Sequence, residues 1–165
     1  MSLISIVDED DKVIGIKERG TLASEDIYRV AVLWIVNEAG DFLLAQQASG
    51  KKYPGRWVAS VGGTVEADET YETNVVKEAG EELGLAISQA DLKEGPKERI
   101  RTDRSNHFSQ SYFYLTDRSA DGFVIDKSET QQLRWFPRAE LKRIVSESPD
   151  TFSPPAARSL RLFLM

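Results

Sequence analysis

The stretch SVGGTVEADETYETNVVKEAGEELGL, residues 60–85, sets Glu78, Glu81 and Glu82 on adjacent turns of one predicted helix. Residues three and four apart on a helix are neighbours, with Cβ atoms about 5–6 Å apart, and each like-charged pair costs a few tenths of a kcal/mol. A chain that has only to fold gains nothing from that arrangement. Two readings are open. Glutamate is a good helix former, and the three carboxylates can simply face solvent. Alternatively they form a site for a hard divalent cation such as Mg²⁺, which takes oxygen ligands and is held by one or two carboxylates together with substrate phosphates. The glycines just upstream favour the second reading: without Cβ atoms, Gly62 and Gly63 let the backbone approach closely and offer a carbonyl as a further oxygen ligand. Gly80, inside the helix, costs about 1 kcal/mol against alanine and predicts close packing there.

The spacing of these residues resembles the Nudix box, GX5EX7REUXEEXGU with U aliphatic. Here it reads Gly63, five residues, Glu69, seven residues, then Lys77, Glu78, Ala79, Gly80, Glu81, Glu82, Leu83, Gly84 and Leu85. Six fixed Gly or Glu positions at about 7% usage each coincide by chance on the order of once in 10⁷ starts. Lys77 stands where the family has arginine, which keeps the charge but loses the bidentate fork.

The resemblance implies an α/β/α sandwich with a mixed, largely antiparallel sheet. It also implies a hydrolase using Mg²⁺ or Mn²⁺ to cleave a phosphoanhydride in a nucleoside diphosphate linked to another moiety, or in a related small diphosphate. It places the metal ligands at Glu78, Glu81, Glu82 and the Gly62 carbonyl, with Glu78 either a ligand or the group that activates water. Gly63, Glu69, Lys77 and Gly84 complete the motif. A further base lies outside the box in parts of the family. Glu129, in DKSETQQLRWF, is the expected residue, with Asp126 and Glu98 as alternatives.

Beyond the box, VDEDDKVIG, YRVAVLWIVNEAGDFLLAQQASGKKYPGRW and SVGG look like the branch that includes isopentenyl-diphosphate isomerase. That enzyme uses a catalytic cysteine in the region reading SVGG here, together with a histidine-rich metal site. This chain has no cysteine and one histidine, His107, so it reads as an isomerase-like hydrolase and not an isomerase. A non-catalytic ligand-binding module is the remaining alternative, against which stands the survival of all three helix glutamates.

The elements that must position these groups follow from periodicity and punctuation. A helix is predicted over residues 69–83, with Asp68 as N-cap, Glu69 and Glu72 in the first turn, and Gly84 as C-terminal cap. Val76, Ala79 and Leu83 form its apolar stripe. LISIV and KVIGIKER flank the turn DEDD as a hairpin. YRVAVLWIVN is a near-continuous apolar run, expected as a strand covered on both faces and paired with FLLAQQ. The segment WVASVGGTV is a glycine-interrupted strand region. DLKEGPKERIR, HFSQSYFYLTD and QQLRWF are further strands. PRAELKRIVSE and PPAARSLRLFLM open on prolines, as helix starts do.

Lys51, Lys52 and Arg56, in the loop before the box, are the cations available to meet phosphate, although flexible lysines also stand simply solvated. Phe108, Tyr112 and Tyr114 offer either a stacking face or core packing, while Trp34, Trp57 and Trp135 are read as packing residues and His107 as a loop residue.

Composition bounds the rest. At 165 residues the chain fits one domain, residues 1–165. A net charge of −6 opposes a broad nucleic-acid or anionic-membrane footprint; the resemblance implies a small-molecule diphosphate as partner, and a homodimer is open. The absence of cysteine removes disulfides and thiolate chemistry. No basic start precedes an apolar run, and a cytoplasmic location is the default expectation.

Overall fold

The computed structural model describes residues 2–165. Its nine strands are β1 (Leu3–Val7), β2 (Val13–Glu18), β3 (Tyr28–Val36), β4 (Phe42–Gln47), β5 (Trp57–Val58), β6 (Val61–Thr64), β7 (Lys93–Arg101), β8 (Asn106–Leu115) and β9 (Thr130–Phe136). The helices are α1 (Tyr71–Leu83), α2 (Arg138–Glu147) and α3 (Pro154–Leu164).

β1 and β2 pair as the expected hairpin. The other seven strands form one sheet in which β3 and β8 run parallel and every other pairing is antiparallel. β3 carries the architecture. Its alternate residues Ala31, Leu33 and Ile35 pack with Val75, Ala79 and Leu83 of α1, while Trp34 packs with Leu141, Leu160 and Phe163 of α2 and α3. Burial on both faces explains why its sequence is an apolar run and not an alternation. The α/β/α sandwich with a mixed, largely antiparallel sheet is therefore the observed fold.

The helix α1 starts later than the sequence suggests. Thr70, not Asp68, is the N-cap: its hydroxyl accepts from Thr73 N at 3.1 Å, and Thr73 Oγ1 accepts from Thr70 N at 2.8 Å. Two reciprocal bonds outcompete the single one that Asp68 offered. Glu69 consequently lies in the preceding turn. Gly84 caps the other end at φ 61°, in the left-handed region.

The apolar column is Tyr71, Val75, Ala79 and Leu83, so Val75 and not the half-buried Val76 faces the sheet. Asn74, Glu78 and Glu82 follow each of its first three members by three residues and form a polar column on its flank. Gly80 is exposed, and a Cβ there would meet only Leu85 O at 4.0 Å, so no close packing explains it. His107 belongs to β8 and is buried, because its register pairs it with Tyr28 of β3.

Candidate active site

The polar column of α1 faces β6. A Cβ at Gly63 would lie 2.8 Å from Glu78 Cγ and 3.0 Å from its Cδ, so glycine is what lets this carboxylate lie against the strand. Behind it, Lys77 Nζ stands 2.6 Å from Glu69, 3.3 Å from Glu66 and 3.9 Å from Glu78. Glu69 also accepts from Glu66 N at 2.8 Å and Asn74 Nδ2 at 3.0 Å. Burial opposes the charge on Lys77, but the bonds to Glu69 and Glu66 outweigh it and hold its ammonium above the ordinary lysine range. A lysine thus replaces the fork of an arginine by reaching three carboxylates from one point.

Glu78 and Glu82 stand one turn apart on the polar column of α1, so their charges act on each other. Burial raises both carboxyls above the usual range. At Glu82 the interaction with Glu78 and the charge of Glu129 raise it further. Glu82 Oε2 is buried without a hydrogen-bond partner among the described residues. Such an oxygen is costly unless something absent from the free protein meets it. Glu81 stands apart on the exposed side of the helix, with its charge acting on Glu78. Among the described residues no three His, Cys, Asp or Glu side chains are gathered as a metal cluster, so the three glutamates expected together divide into a facing pair and an outlier. The pair, the orphaned oxygen and the glycine cradle fit a hard cation, whose charge would offset the repulsion between the two carboxyls.

Glu82 opens into a cleft of about 360 Å³ that Gly62, Gly63, Lys51, Lys52 and Glu129 also line. Six of the residues expected from the sequence thus line one cleft. Lys51 Nζ is 2.6 Å from Glu129 Oε2. The main chain fixes the loop that carries Glu129: Val124 N donates to Leu83 O at 3.0 Å, Asp126 N to Glu82 O at 3.1 Å, and Ala48 N to Glu129 O at 3.0 Å.

Three expected residues lie elsewhere. Arg56 is outside the cleft lining, with its guanidinium 5.9 Å from the Tyr53 ring. The Asp126 carboxylate accepts from Ser128 N and Oγ and shapes its own turn. Glu98 is buried on β7, where Ser159 Oγ and Arg158 Nε donate to it. Phe108 and Tyr112 are core residues.

The cleft also holds groups that no motif announced. Arg19 reaches Thr64 Oγ1 at 3.3 Å, and Val30, Val32, Trp34 and Ser109 form part of the lining. Only the three-dimensional pairing of β3, β6 and β8 could place them there.

Residues 27–163 match the NUDIX domain. A prenyl-diphosphate phosphatase of Methanosarcina mazei is 30% identical over 154 residues, covering 92% of this chain and 89% of that one. An isopentenyl-diphosphate Δ-isomerase of Klebsiella pneumoniae is 26% identical over 156 residues, covering 92% and 84%. The crystal structure of DR0079 from Deinococcus radiodurans superposes with a TM-score of 0.79 at 24% identity, over 97% of this chain and 98% of that one. The matched span runs from the start of the central sheet into α3 and includes every carboxylate and lysine of the cleft; the chain belongs to the Nudix family, as one of its pyrophosphohydrolases.

Proposed function

We propose that the chain hydrolyses a phosphoanhydride in a small organic diphosphate, a nucleoside diphosphate linked to another moiety or a related compound, in a reaction that depends on Mg²⁺ or Mn²⁺. The observation that carries this is the buried, unpartnered Glu82 oxygen at a cleft whose rim holds Lys51 and Glu129.

Glu78, Glu82 and the Gly62 carbonyl are the groups that would hold the ion, with Glu81, on the exposed side of the helix, acting on the site through its charge. When bound, it would neutralise the diphosphate and make an attacking water acidic. The other roles belong to the chain. Lys51 and Lys52 meet phosphate oxygens. Lys51 then leaves Glu129, whose free carboxylate takes the proton of the attacking water. Lys77 and Glu69 hold the direction of Glu78, and Gly63 keeps the space in which it lies.

The relative that acts on prenyl diphosphates makes these the competing substrates. Isomerase chemistry fits less well. In SVGG the one side chain with a heteroatom, Ser60, donates to Leu43 O and accepts from Ile35 N, so it is tied into the sheet. His107 lies on β8 and does not line the cleft.

The test is incubation with Mg²⁺ or Mn²⁺ and a panel of nucleoside diphosphates, nucleotide sugars, dinucleoside polyphosphates and prenyl diphosphates, with the products resolved. Metal-dependent release of phosphate or a phosphorylated product is expected. Isomerised prenyl diphosphate, or no turnover across the panel, would overturn the proposal.

A further inference from the structure

The floor of the cleft runs across the sheet. Val30 of β3 pairs with Thr64 of β6 on one side and Ser109 of β8 on the other, and Ser109 pairs in turn with Glu98 of β7. Directly paired residues project on one face. The row Thr64, Val30, Ser109, Glu98 therefore crosses three interstrand spacings, about 14–15 Å, from the glycine strand beside the carboxylates to the buried Glu98. Thr64, Val30 and Ser109 line the cleft, and Ser159 of α3 closes the same end.

The hydroxyls at that end have fixed roles. Ser159 Oγ donates to Glu98 Oε2 at 2.7 Å, and Arg158 Nε donates to Glu98 Oε1 at 3.2 Å. A hydroxyl has one proton, so Ser159 keeps only lone pairs for a ligand. Ser109 Oγ makes no hydrogen bond among the described residues and can turn either way. A clamp between α3 and the sheet needs only the Arg158 pair. The bond from Ser159 adds a polarity to the cleft wall.

We infer that the end of the cleft away from the carboxylates reads a hydrogen-bond donor, a hydroxyl or amine, on the group attached to the diphosphate, and that Ser159, oriented by Glu98, is the reader. This rests on the hydrolase reading above. A site built to accept a hydrogen bond discriminates against an analogue lacking the donor, because its own polar atoms are then left unpaired. A hydrocarbon tail would leave the Ser159 lone pairs in that state.

The experiment compares kcat/KM for ADP and for geranyl diphosphate in the wild type, Ser159→Ala and Glu98→Gln. Arg158 claims the glutamine carbonyl oxygen in Glu98→Gln, which turns the amide NH₂ toward Ser159 and forces the serine proton into the cleft. Both variants should lower the ADP-to-geranyl ratio by about threefold to tenfold, the size of one neutral hydrogen bond. A lost clamp would depress both substrates alike and leave the ratio unmoved. An unchanged ratio in both variants, or a wild type that prefers geranyl diphosphate, overturns the inference. Ser159→Ala alone decides if Glu98→Gln does not fold. If the wild type hydrolyses neither probe, the full panel judges the hydrolase reading separately, and titration with AMP followed by NMR judges the reader. Several-fold weaker AMP binding in Ser159→Ala supports it, whereas no AMP binding or equal binding overturns it.

Discussion

Lys51 and Glu129, one expected to meet phosphate and the other to act as base, are ion-paired at 2.6 Å on the rim of the cleft. In the roles proposed for them, each would hold the other until an anion arrives. Both side chains are about a third exposed, so the pair is worth at most about 1 kcal/mol and exchanges readily for a phosphate contact.

Substitution of the two members should separate in kinetics. Lys51→Met is expected to raise KM by about tenfold or more, since a charge-assisted hydrogen bond to substrate is lost. Glu129→Gln is expected to lower kcat by about 10²–10⁴ with a much smaller change in KM. Steady-state kinetics on the best substrate of the panel reads both, and matching effects of the two variants on KM alone would remove Glu129 as the base.

Glu82→Gln should trade function for stability. Removing a buried carboxyl that opposes Glu78 and Glu129 relieves repulsion, so the metal-free variant should melt at or above the wild-type temperature. Turnover should fall by orders of magnitude. A cation at about 100 times its Kd stabilises the wild type by about 2.7 kcal/mol, or roughly 5–10 °C in a domain of this size. Thermal melts with and without Mg²⁺ or Mn²⁺ should show that increment in the wild type and lose it in Glu82→Gln.

Gly63→Ala tests the cradle. Besides the Glu78 contacts, its Cβ would lie 3.1 Å from Asn74 Oδ1, so the carboxylate must swing away from the strand. The positive-φ glycines are Gly40, Gly55 and Gly84, so the effect at Gly63 is one of space and not of backbone strain. The variant should stay folded, lose at least about tenfold in turnover, and show a reduced metal-induced rise in melting temperature.

His107 gives the fold a pH dependence that is independent of the carboxylates. Burial, with the charges of Lys52 and Arg99, lowers its pKa to about 4, and its Nδ1 has no partner among the described residues. The folded state binds fewer protons than the unfolded one between pH 4 and 6.5, so stability is full above about pH 6.5 and declines as pH falls toward 4. The loss is on the order of 3 kcal/mol. Melting temperatures from pH 7 to 4.5 should fall less steeply in His107→Gln than in the wild type.

The fold and the core of the site were legible because their signals are local. Val30–Val36 reads as a doubly covered strand from composition alone, and Glu78, Glu82, Gly63 and Gly84 sit at fixed offsets on one helix and the strand before it. Errors arose where two local signals competed. Asp68 and Thr70 both fit as caps, and a reciprocal partner at Thr73 decided between them. Val75 and Val76 both suit an apolar stripe, and the sheet chose Val75. The remaining groups of the cleft carry no local signal. Arg19, Ser109 and Ser159 are ordinary residues on separate elements, and only strand register and the docking of α3 make them neighbours.

The backbone bonds that tie Val124 and Asp126 to the last turn of α1, and Glu129 to Ala48, have an evolutionary consequence. They use peptide groups only, so the exposed side chains of this segment, such as Asp117, Asp121 and Val124, are free to change while Phe123 stays in the core and Glu82, Lys51 and Glu129 keep their mutual spacing. Surface changes can accumulate on that segment without shifting the carboxylates and lysine that it anchors.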